Sequence, residues 1–224
     1  MIIRPCPNFG DRRDGKSVGL IILHYTETKG VQETLDILFD PARKASAHYV
    51  LDINGTVYQL VDESKRAWHA GKSWWQGEID INSTSIGIEI QNSGITPFPD
   101  QQIKALIDLC HGIIKRHNIQ SRDVLGHSDI AITRKIDPGH LFPWQELAAQ
   151  GIGFWPQEKD LAADKAESVL NAIGYDPALP LVERITAFQR HFVPEVFVSN
   201  DGIGLLTPLT LKRLGGFVQN QQTV

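Results

Sequence analysis

Residues 18–26, VGLIILHYT, form the short aliphatic run that decides the fold. Such a run is typical of a strand that is buried on both faces of a sheet. Side chains alternate along a strand, so Ile22 and His24 share one face and Ile21 and Leu23 share the other. His24 ends the run, where α/β sheets tend to present ligands. The run therefore predicts an α/β fold, with His24 either bonded to a core carbonyl or part of a functional site.

A second apolar run, residues 82–92 (NSTSIGIEIQN), carries a carboxylate in its middle. Ile86, Ile88 and Ile90 form one face of the predicted strand, and Glu89 lies on the other face among small and polar neighbours. A carboxylate is costly to bury unless it is paired or hydrogen-bonded. Because the aliphatic residues favour a central strand, we interpret Glu89 as facing a cleft rather than as a solvent-facing residue on an edge strand.

Helical and hairpin patterns flank these two strands. Residues 31–39 and residues 100–118 space their apolar side chains as amphipathic helices do. Residues 47–61, AHYVLDINGTVYQLV, predict a β-hairpin that turns at Asn54 and Gly55, a pair suited to positive φ angles. The region therefore combines a sheet with helices packed on it.

Composition excludes several classes of function. The chain has 224 residues, enough for one large domain or for one medium and one small domain. A formal net charge of -4 gives no electrostatic footprint for nucleic acid or an anionic membrane. No stretch approaches the roughly 20 apolar residues that span a bilayer, and the N-terminus lacks a signal-peptide core. We therefore expect a soluble protein, without a transmembrane segment and without a readable export signal.

A long polar loop follows the helix at 100–118. Residues 125–144, LGHSDIAITRKIDPGHLFPW, contain His127, Lys135 and Asp137 among few apolar residues. Polar loops of this length inside a globular domain are usually functional or disordered. The two potential metal ligands, with a lysine beside one of them, favour function.

Residues at the strand ends and in this loop can build a hydrolytic metal site. Catalytic zinc takes three protein ligands from His, Cys and carboxylate side chains and leaves one position for water. His24, His127 and Asp137 make such a set, and zinc-bound water becomes a nucleophile near neutral pH. Glu89 is the carboxylate available to accept its proton, and Lys135 is a cation able to stabilise the oxyanion.

Other residues could take these roles on sequence grounds alone. His48 and His140 are alternative ligands, and Asp129 could compete with Asp137, although a ligand two residues from the first histidine would strain the geometry. Arg134 is a second candidate for the oxyanion, and could instead bind a substrate carboxylate or pack outward.

Aromatic residues cluster after the hairpin, in residues 65–75 (KRAWHAGKSWW). Trp68, His69, Trp74 and Trp75 could pack the edge of the core or form a wall for a sugar or peptide. The surrounding glycines and the absence of a regular period favour the wall.

The character of the chain changes after Gly151. A Gly/Pro/aromatic linker precedes predicted helices at residues 157–173, residues 180–192 and from about residue 207, without an evident catalytic cluster. The pattern predicts a catalytic domain over residues 1–152 and a small helical domain over residues 153–224.

Together these motifs resemble the zinc-dependent N-acetylmuramoyl-L-alanine amidases of the Amidase_2 type. The matching pieces stand in the family's order over about residues 17–150: IILHYT, SAHYVLDINGTVYQLV, KRAWHAG, NSTSIGIEIQN and GHSDIAITRKIDPG. The resemblance implies a mixed central sheet flanked by helices, a fold shared with peptidoglycan recognition proteins. It also implies one zinc ion and cleavage of the amide between N-acetylmuramic acid, or its 1,6-anhydro form, and L-alanine.

The resemblance implies a role for each candidate residue. It places the zinc ligands on His24, His127 and Asp137, the general base on Glu89 and the transition-state stabiliser on Lys135. The loop that matches KRAWHAG lines the substrate groove of the family, which implies substrate contacts for Trp68 and His69.

The C-terminal region is similar to the three-helix peptidoglycan-binding module, through LNAIGY, AFQRHF, DG and a final pattern of Thr and Leu residues. An amidase followed by that module resembles the AmiD subgroup, which implies cell-wall turnover in the envelope or periplasm. The absence of a signal peptide keeps a cytoplasmic location open. The alternatives to an amidase are a zinc peptidase that cuts within the stem peptide and a non-catalytic peptidoglycan-recognition protein.

Overall fold

The protein is built on a six-stranded mixed sheet, and a computed structural model describes it for residues 1–218. A separate two-stranded ribbon lies beside this sheet. The strands are β1 (Ile2–Ile3), β2 (Phe9–Asp11), β3 (Leu20–Tyr25), β4 (Tyr49–Leu51), β5 (Val57–Gln59), β6 (Lys65–Ala67), β7 (Ser85–Ile90) and β8 (Val124–Gly126). Their order in the main sheet is β1-β5-β4-β7-β3-β8, and β2 pairs with β6 in the ribbon.

Helices cover both faces of the sheet, as expected for the predicted α/β class. They are α1 (Val31–Phe39), α2 (Ile81–Thr84), α3 (Asp100–His117), α4 (His127–Ile130), α5 (Trp144–Ala149), α6 (Ala166–Ile173), α7 (Leu181–Phe192), α8 (Glu195–Ser199) and α9 (Pro208–Gly215). No helix within residues 1–218 combines the length and the apolar composition needed to cross a membrane.

The two strands that carry His24 and Glu89 are central and adjacent. β3 pairs with β7 in parallel along its whole length and with β8 on its other side. In this register His24 lies opposite Glu89, and Leu23 lies opposite Gly126. The carboxyl ends of β3, β7 and β8 therefore meet at one edge of the sheet, where their polar residues come together.

One face of the sheet packs against α3. Ile21, Leu23 and Ile88 are fully buried there and share a cluster with Leu106 and Ile113 of the helix. Burying an aliphatic side chain of this size contributes about 1.5–3 kcal/mol. The alternation predicted for β3 and β7 is confirmed, because the remaining side chains of both strands point to the opposite face.

The predicted hairpin forms between β4 and β5, but its turn is longer than a two-residue turn. Leu51 pairs with Val57, so residues 52–56 make the connection. Gly55 has a φ of 83° and donates its backbone N–H to the carbonyl of Asp52. Asn54 does not have a positive φ; its side-chain oxygen instead accepts the N–H of Thr56.

The opposite face of the sheet packs against the C-terminal helices. Ile22, Leu125 and Ile130 share one buried cluster with Leu170 of α6 and Phe188 of α7. The sheet and the region predicted as a second domain therefore have a common apolar core. The division into domains over residues 1–152 and residues 153–224 stays a prediction, and residues 219–224 lie outside the described part of the chain.

The first of the predicted C-terminal helices is shorter than its sequence pattern. Helix α6 begins only at Ala166, although apolar spacing predicts a helix over residues 157–173. The segment before it lies against α9, because the backbone N–H of Lys159 donates to the carbonyl of Lys212. This contact ties the segment to α9 in an extended course before the helix begins.

Candidate metal centre and active site

Three buried side chains bring one donor atom each to a common point. His24 Nδ1, His127 Nδ1 and Asp137 Oδ2 are separated from one another by 3.0 Å along every side of the triangle. The exposed fractions of the three residues are 1%, 3% and 6%. Among the His, Cys, Asp and Glu side chains of residues 1–218, these three lie close enough together to hold a metal ion. The ligand set predicted from sequence is thus assembled as a geometric unit.

The sheet and the polar loop position these donors. His24 is near the end of β3, and His127 follows directly after the neighbouring β8 as the first residue of α4. Asp137 returns to the same point because its carbonyl accepts the backbone N–H of Ser128 at 2.9 Å. The loop between His127 and Asp137 is therefore closed by a backbone hydrogen bond beside the donors.

The tautomer of His127 follows from its second ring nitrogen. Its Nε2 lies 3.1 Å from the carbonyl oxygen of Ala70, which can only accept a hydrogen bond. The proton therefore occupies Nε2, and the lone pair of Nδ1 points towards His24 and Asp137.

A chain of hydrogen bonds assigns the tautomer of His24. Ser85 Oγ donates to the carbonyl of Ile81 at 2.6 Å, so it accepts from His69 Nε2 at 3.1 Å. His69 Nδ1 is then unprotonated and accepts from His24 Nε2 at 3.0 Å. His24 Nδ1 consequently carries a lone pair that points into the triangle. We call the chain Ile81–Ser85–His69–His24 the histidine relay.

The donor set fits a zinc ion. Two nitrogen lone pairs and a carboxylate oxygen repel one another at 3.0 Å unless a cation lies between them. Tetrahedral zinc with bonds of about 2.0–2.1 Å holds its ligand atoms at roughly this separation. Burial, followed by the neighbouring His127, lowers the pKa of His24 to about 4, which keeps the imidazole neutral as metal ligation requires.

The carboxylate of Asp137 is equally suited to a cation. Burial raises the pKa of Asp137, but the adjacent rings of His127 and His24 outweigh burial, and the pKa lies well below its ordinary value. The group is therefore ionised at neutral pH and supplies the negative charge of the ligand set.

Glu89 and Lys135 face the same cavity, which has a volume of about 380 Å³. Within residues 1–218 neither the carboxyl group of Glu89 nor the ammonium group of Lys135 has a hydrogen-bond or ion-pair partner. Burial, followed by the charge of Asp137, raises the pKa of Glu89 to about 8. A carboxyl group held in this range can exchange a proton near neutral pH, which is what a general base or acid requires.

The alternative histidine ligands are engaged elsewhere. His48 Nδ1 accepts the backbone N–H of Gly87, and its Nε2 lies 3.0 Å from the carbonyl of Lys65. His140 stacks on Phe197 with ring centroids 5.4 Å apart. Neither ring joins the triangle of donors.

Asp129 and Arg134 also have other partners. The Asp129 carboxylate accepts the backbone N–H of Gly126 at 2.8 Å and belongs to a buried network on the far side of α4. Arg134 lines the cavity, but its guanidinium donates to the carbonyls of Ala70 and Lys72. Arg134 thus fixes the loop that carries the carbonyl partner of His127.

The aromatic residues after the hairpin have divided roles. Trp68 lines the cavity, as a wall for substrate requires. Trp75 is buried and packs edge-on against Tyr175 at 5.4 Å, so the expectation of a wall is wrong for this residue. His69 lines the cavity, yet both of its ring nitrogens are used by the relay. Substrate contacts for Trp68 and His69 stay predictions.

Sequence reasoning missed Ser85 and Gly87 as parts of the site. A Cβ at Gly87 would overlap the ring of His69, so the strand needs glycine there to admit the relay. An isolated glycine inside an apolar strand is the sequence signal of such a close approach.

Comparison with known proteins places these features in a family. Residues 14–140 match the family described as N-acetylmuramoyl-L-alanine amidase. The chain is 38% identical to N-acetylmuramoyl-L-alanine amidase AmiD of Escherichia coli K12, over 80% of this chain and 76% of the relative. It is 35% identical to 1,6-anhydro-N-acetylmuramyl-L-alanine amidase AmpD of Haemophilus influenzae, over 62% of this chain and 85% of the relative.

A solved structure is similar over nearly the whole chain. It is the complex of AmiD from Escherichia coli with anhydro-N-acetylmuramic acid-L-Ala-D-γ-Glu-L-Lys, described as its substrate. The similarity has a TM-score of 0.78 at 33% identity and covers 96% of this chain and 91% of the other. The mixed sheet and its flanking helices are thus shared with that enzyme.

Proposed function

The chain belongs to the N-acetylmuramoyl-L-alanine amidase family, and we propose that it hydrolyses the amide between N-acetylmuramic acid and L-alanine with the help of one zinc ion. The observation that carries the zinc-dependent mechanism is the buried triangle of His24, His127 and Asp137 beside an unpaired Glu89. The same arrangement separates this chain from a non-catalytic recognition protein, because ligands, carboxyl group and lysine are all present.

His24, His127 and Asp137 would hold the zinc ion, which lowers the pKa of a bound water and polarises the carbonyl of the substrate. The neutral imidazoles and the ionised carboxylate leave a set with one net negative charge. Their burial excludes bulk water from the donor atoms, and the hydrogen bonds of both imidazoles fix the orientation of the rings.

Glu89 acts as the general base and then as the general acid. The carboxylate form of Glu89 accepts a proton from the attacking water, and the resulting carboxyl group passes it to the amine of L-alanine as the amide breaks. The position of Glu89 beside His24 across the β3–β7 pair puts the carboxyl group at the same edge of the sheet as the donors.

Lys135 stabilises the negative charge that develops on the carbonyl oxygen. Its ammonium group is free of protein partners within residues 1–218 and lines the cavity two residues before Asp137. A preorganised cation is most effective where water is excluded, and losing such a group typically lowers kcat by about 10²–10³-fold.

The substrate is a muropeptide or peptidoglycan, with ordinary or 1,6-anhydro muramic acid. The relatives named above act on this amide, and AmiD was solved with an anhydro-muropeptide. The cavity is of the size that binds small ligands, and Trp68 offers a flat face for the sugar. Wall binding by the C-terminal helices and a location in the cell envelope remain part of this proposal.

One set of variants tests the mechanism. Zinc content is measured together with mass spectrometry of products from whole sacculi and from anhydro-muropeptides. We expect Glu89→Gln and Lys135→Met to retain zinc and lose turnover, and His127→Ala to lose both. Release of intact stem peptide from the sugar supports the amidase, whereas shortened peptides would assign a zinc peptidase. Normal turnover by Glu89→Gln would overturn the role of the carboxylate.

The substrate wall has its own test. We expect Trp68→Ala to raise KM for the muropeptide while kcat changes little, because the residue contacts substrate rather than the reacting atoms. The matched control is Trp155→Phe, because this tryptophan packs against both apolar clusters and is not among the residues that line the cavity.

A further inference from the structure

The carboxylate of Asp129 is buried two residues after the ligand His127 and accepts three hydrogen bonds. One comes from the backbone N–H of Gly126, and the other two come from the C-terminal part of the chain. Tyr175 donates its hydroxyl at 3.0 Å, and His191 Nδ1 lies at 2.8 Å. The exposed fraction of Asp129 is 1% and that of His191 is 2%, so neither contact is screened by solvent.

His191 is also packed tightly by aromatic rings from both parts of the chain. Its ring stacks on Trp144 with centroids 3.7 Å apart and on Phe192 at 3.8 Å. Stacking fixes the plane of the imidazole, with Nδ1 directed at Asp129. The ring of Tyr175 is held by an edge-on contact with Trp75.

The segment that Asp129 holds has little room to move. A Cβ at Gly126 would lie 2.8 Å from Pro138 Cδ and 3.3 Å from Trp144. Gly126 immediately precedes His127, and Pro138 immediately follows the third ligand Asp137. Any shift of the Asp129 carboxylate is therefore transmitted to the residues next to two metal ligands.

We infer that the C-terminal helices are part of the metal centre, with Tyr175 and His191 as positioning residues that act on His127 through Asp129. This inference rests on the proposed function, because it assumes that His127 ligates zinc. Within the described residues, the donor triangle contains no residue from the C-terminal region. Its contribution is to hold α4 so that His127 Nδ1 stays within the triangle.

The experiment measures zinc affinity and thermal stability of the full-length chain. Tyr175→Phe removes one hydroxyl and keeps the ring; His191→Phe removes the second donor and keeps the stacking. The matched control is Gln189→Met on the same helix, which breaks the buried hydrogen bonds of Gln189 to Gly202 and Leu205 without touching Asp129. Zinc dissociation constants come from competition with a chromophoric chelator, and kcat and KM from a soluble muropeptide at saturating zinc.

We expect the double variant Tyr175→Phe/His191→Phe to bind zinc roughly tenfold more weakly or worse, the range seen when groups that orient metal ligands are removed. We expect kcat to fall with KM nearly unchanged, since substrate contacts are intact. The control should keep the wild-type zinc affinity at a comparable loss of melting temperature. His191→Asn retains a donor near the position of Nδ1, and we expect it to recover most of the affinity.

Each outcome decides a different claim. Zinc affinity of the double variant within twofold of the control overturns the inference, and so does failure of His191→Asn to recover affinity while folded. If the double variant does not fold, Tyr175→Phe alone decides, because it removes a single atom from a packed ring. A wild-type chain that binds no zinc, or that does not cleave the muropeptide amide, would instead overturn the proposed function.

Discussion

His24 and Glu89 are direct register partners on the adjacent parallel strands β3 and β7. The side chains of register partners point to the same face of a sheet, so a donor of the buried triangle and the Glu89 carboxyl group share one cavity. Glu89 is consequently close to the negative charge of Asp137, and burial together with that charge raises its pKa to about 8. The effect of Glu89 on the free energy of unfolding can be measured independently of catalysis.

We expect Glu89→Gln to stabilise the metal-free protein at high pH. The pKa of Glu89 is about 8 in the folded protein and about 4.3 in the unfolded chain. Because the folded state holds the proton more tightly, the free energy of unfolding decreases as pH rises between these two values. Glutamine has no proton to lose, so the variant should gain melting temperature over wild type at pH 9, and much less at pH 5. If the melting temperatures of variant and wild type differed by the same amount at pH 5 and pH 9, the raised pKa of Glu89 would be contradicted.

We expect interruption of the histidine relay to weaken zinc binding. Ser85→Ala removes the acceptor for His69 Nε2, and Gly87→Ala places a Cβ within the His69 ring. Gly19→Ala is the matched control, because a Cβ there meets nothing within 4 Å. Correlation spectra of the imidazole nitrogens should show His69 protonated at Nε2 in the wild type. A proton on Nδ1 of His69 would exclude the relay as assigned.

We expect Glu63 to contribute stability that is lost in acid. Burial raises its pKa, but hydrogen bonds from Arg116, Tyr49 and His117 outweigh burial and lower it to about 2. Because the folded pKa is below the unfolded value, the contribution is complete above about pH 4.5 and disappears as pH falls to 2. Glu63→Gln should lose up to about 3 kcal/mol at pH 7 and differ little from wild type at pH 2. Denaturant unfolding at the two pH values measures this change.

We expect the sheet and the C-terminal helices to unfold together. Phe188 of α7 is fully buried in the cluster that contains Ile22 of β3. Phe188→Ala should destabilise by about 3–5 kcal/mol through lost burial and a cavity, and it should lower one common transition. Calorimetry with two resolved transitions, of which only one moves, would show that the predicted domains fold independently.

The fold and the members of the buried donor triangle were accessible from the sequence because local patterns and the family resemblance point to them. The alternation in β3 and β7 indicates which side chains face the apolar core. It therefore identifies His24, at the end of its strand, and Glu89, in the middle of its strand, as polar residues on the other face. His127 and Asp137 lie in the polar loop together with the alternative donors Asp129 and His140, and the family resemblance selected between them. These features depend on neighbouring residues only.

The hydrogen-bond chains were not accessible, because each depends on contacts between distant residues. Ser85 is 16 residues from His69, and Asp129 is 62 residues from His191. On sequence grounds Asp129 stayed a competitor of Asp137, although its closeness to His127 would strain the geometry, and the sequence could not say what a buried carboxylate does there. Trp75 was expected to face substrate because its segment has no period, and only the packing of Tyr175 assigns it to the core.

The apolar cluster shared by β3, α4, α6 and α7 limits how such chains can be recombined. A chimera joined at the Gly151 linker would set Ile22, Leu125 and Ile130 against foreign helices. Unless the new helices fill the same volume, the exchange exposes aliphatic surface on one side and leaves a void on the other. Substitutions in the two halves are therefore expected to arise in compensating pairs. The linker joins the two halves covalently, but it is not a position at which one half can be exchanged for that of another protein.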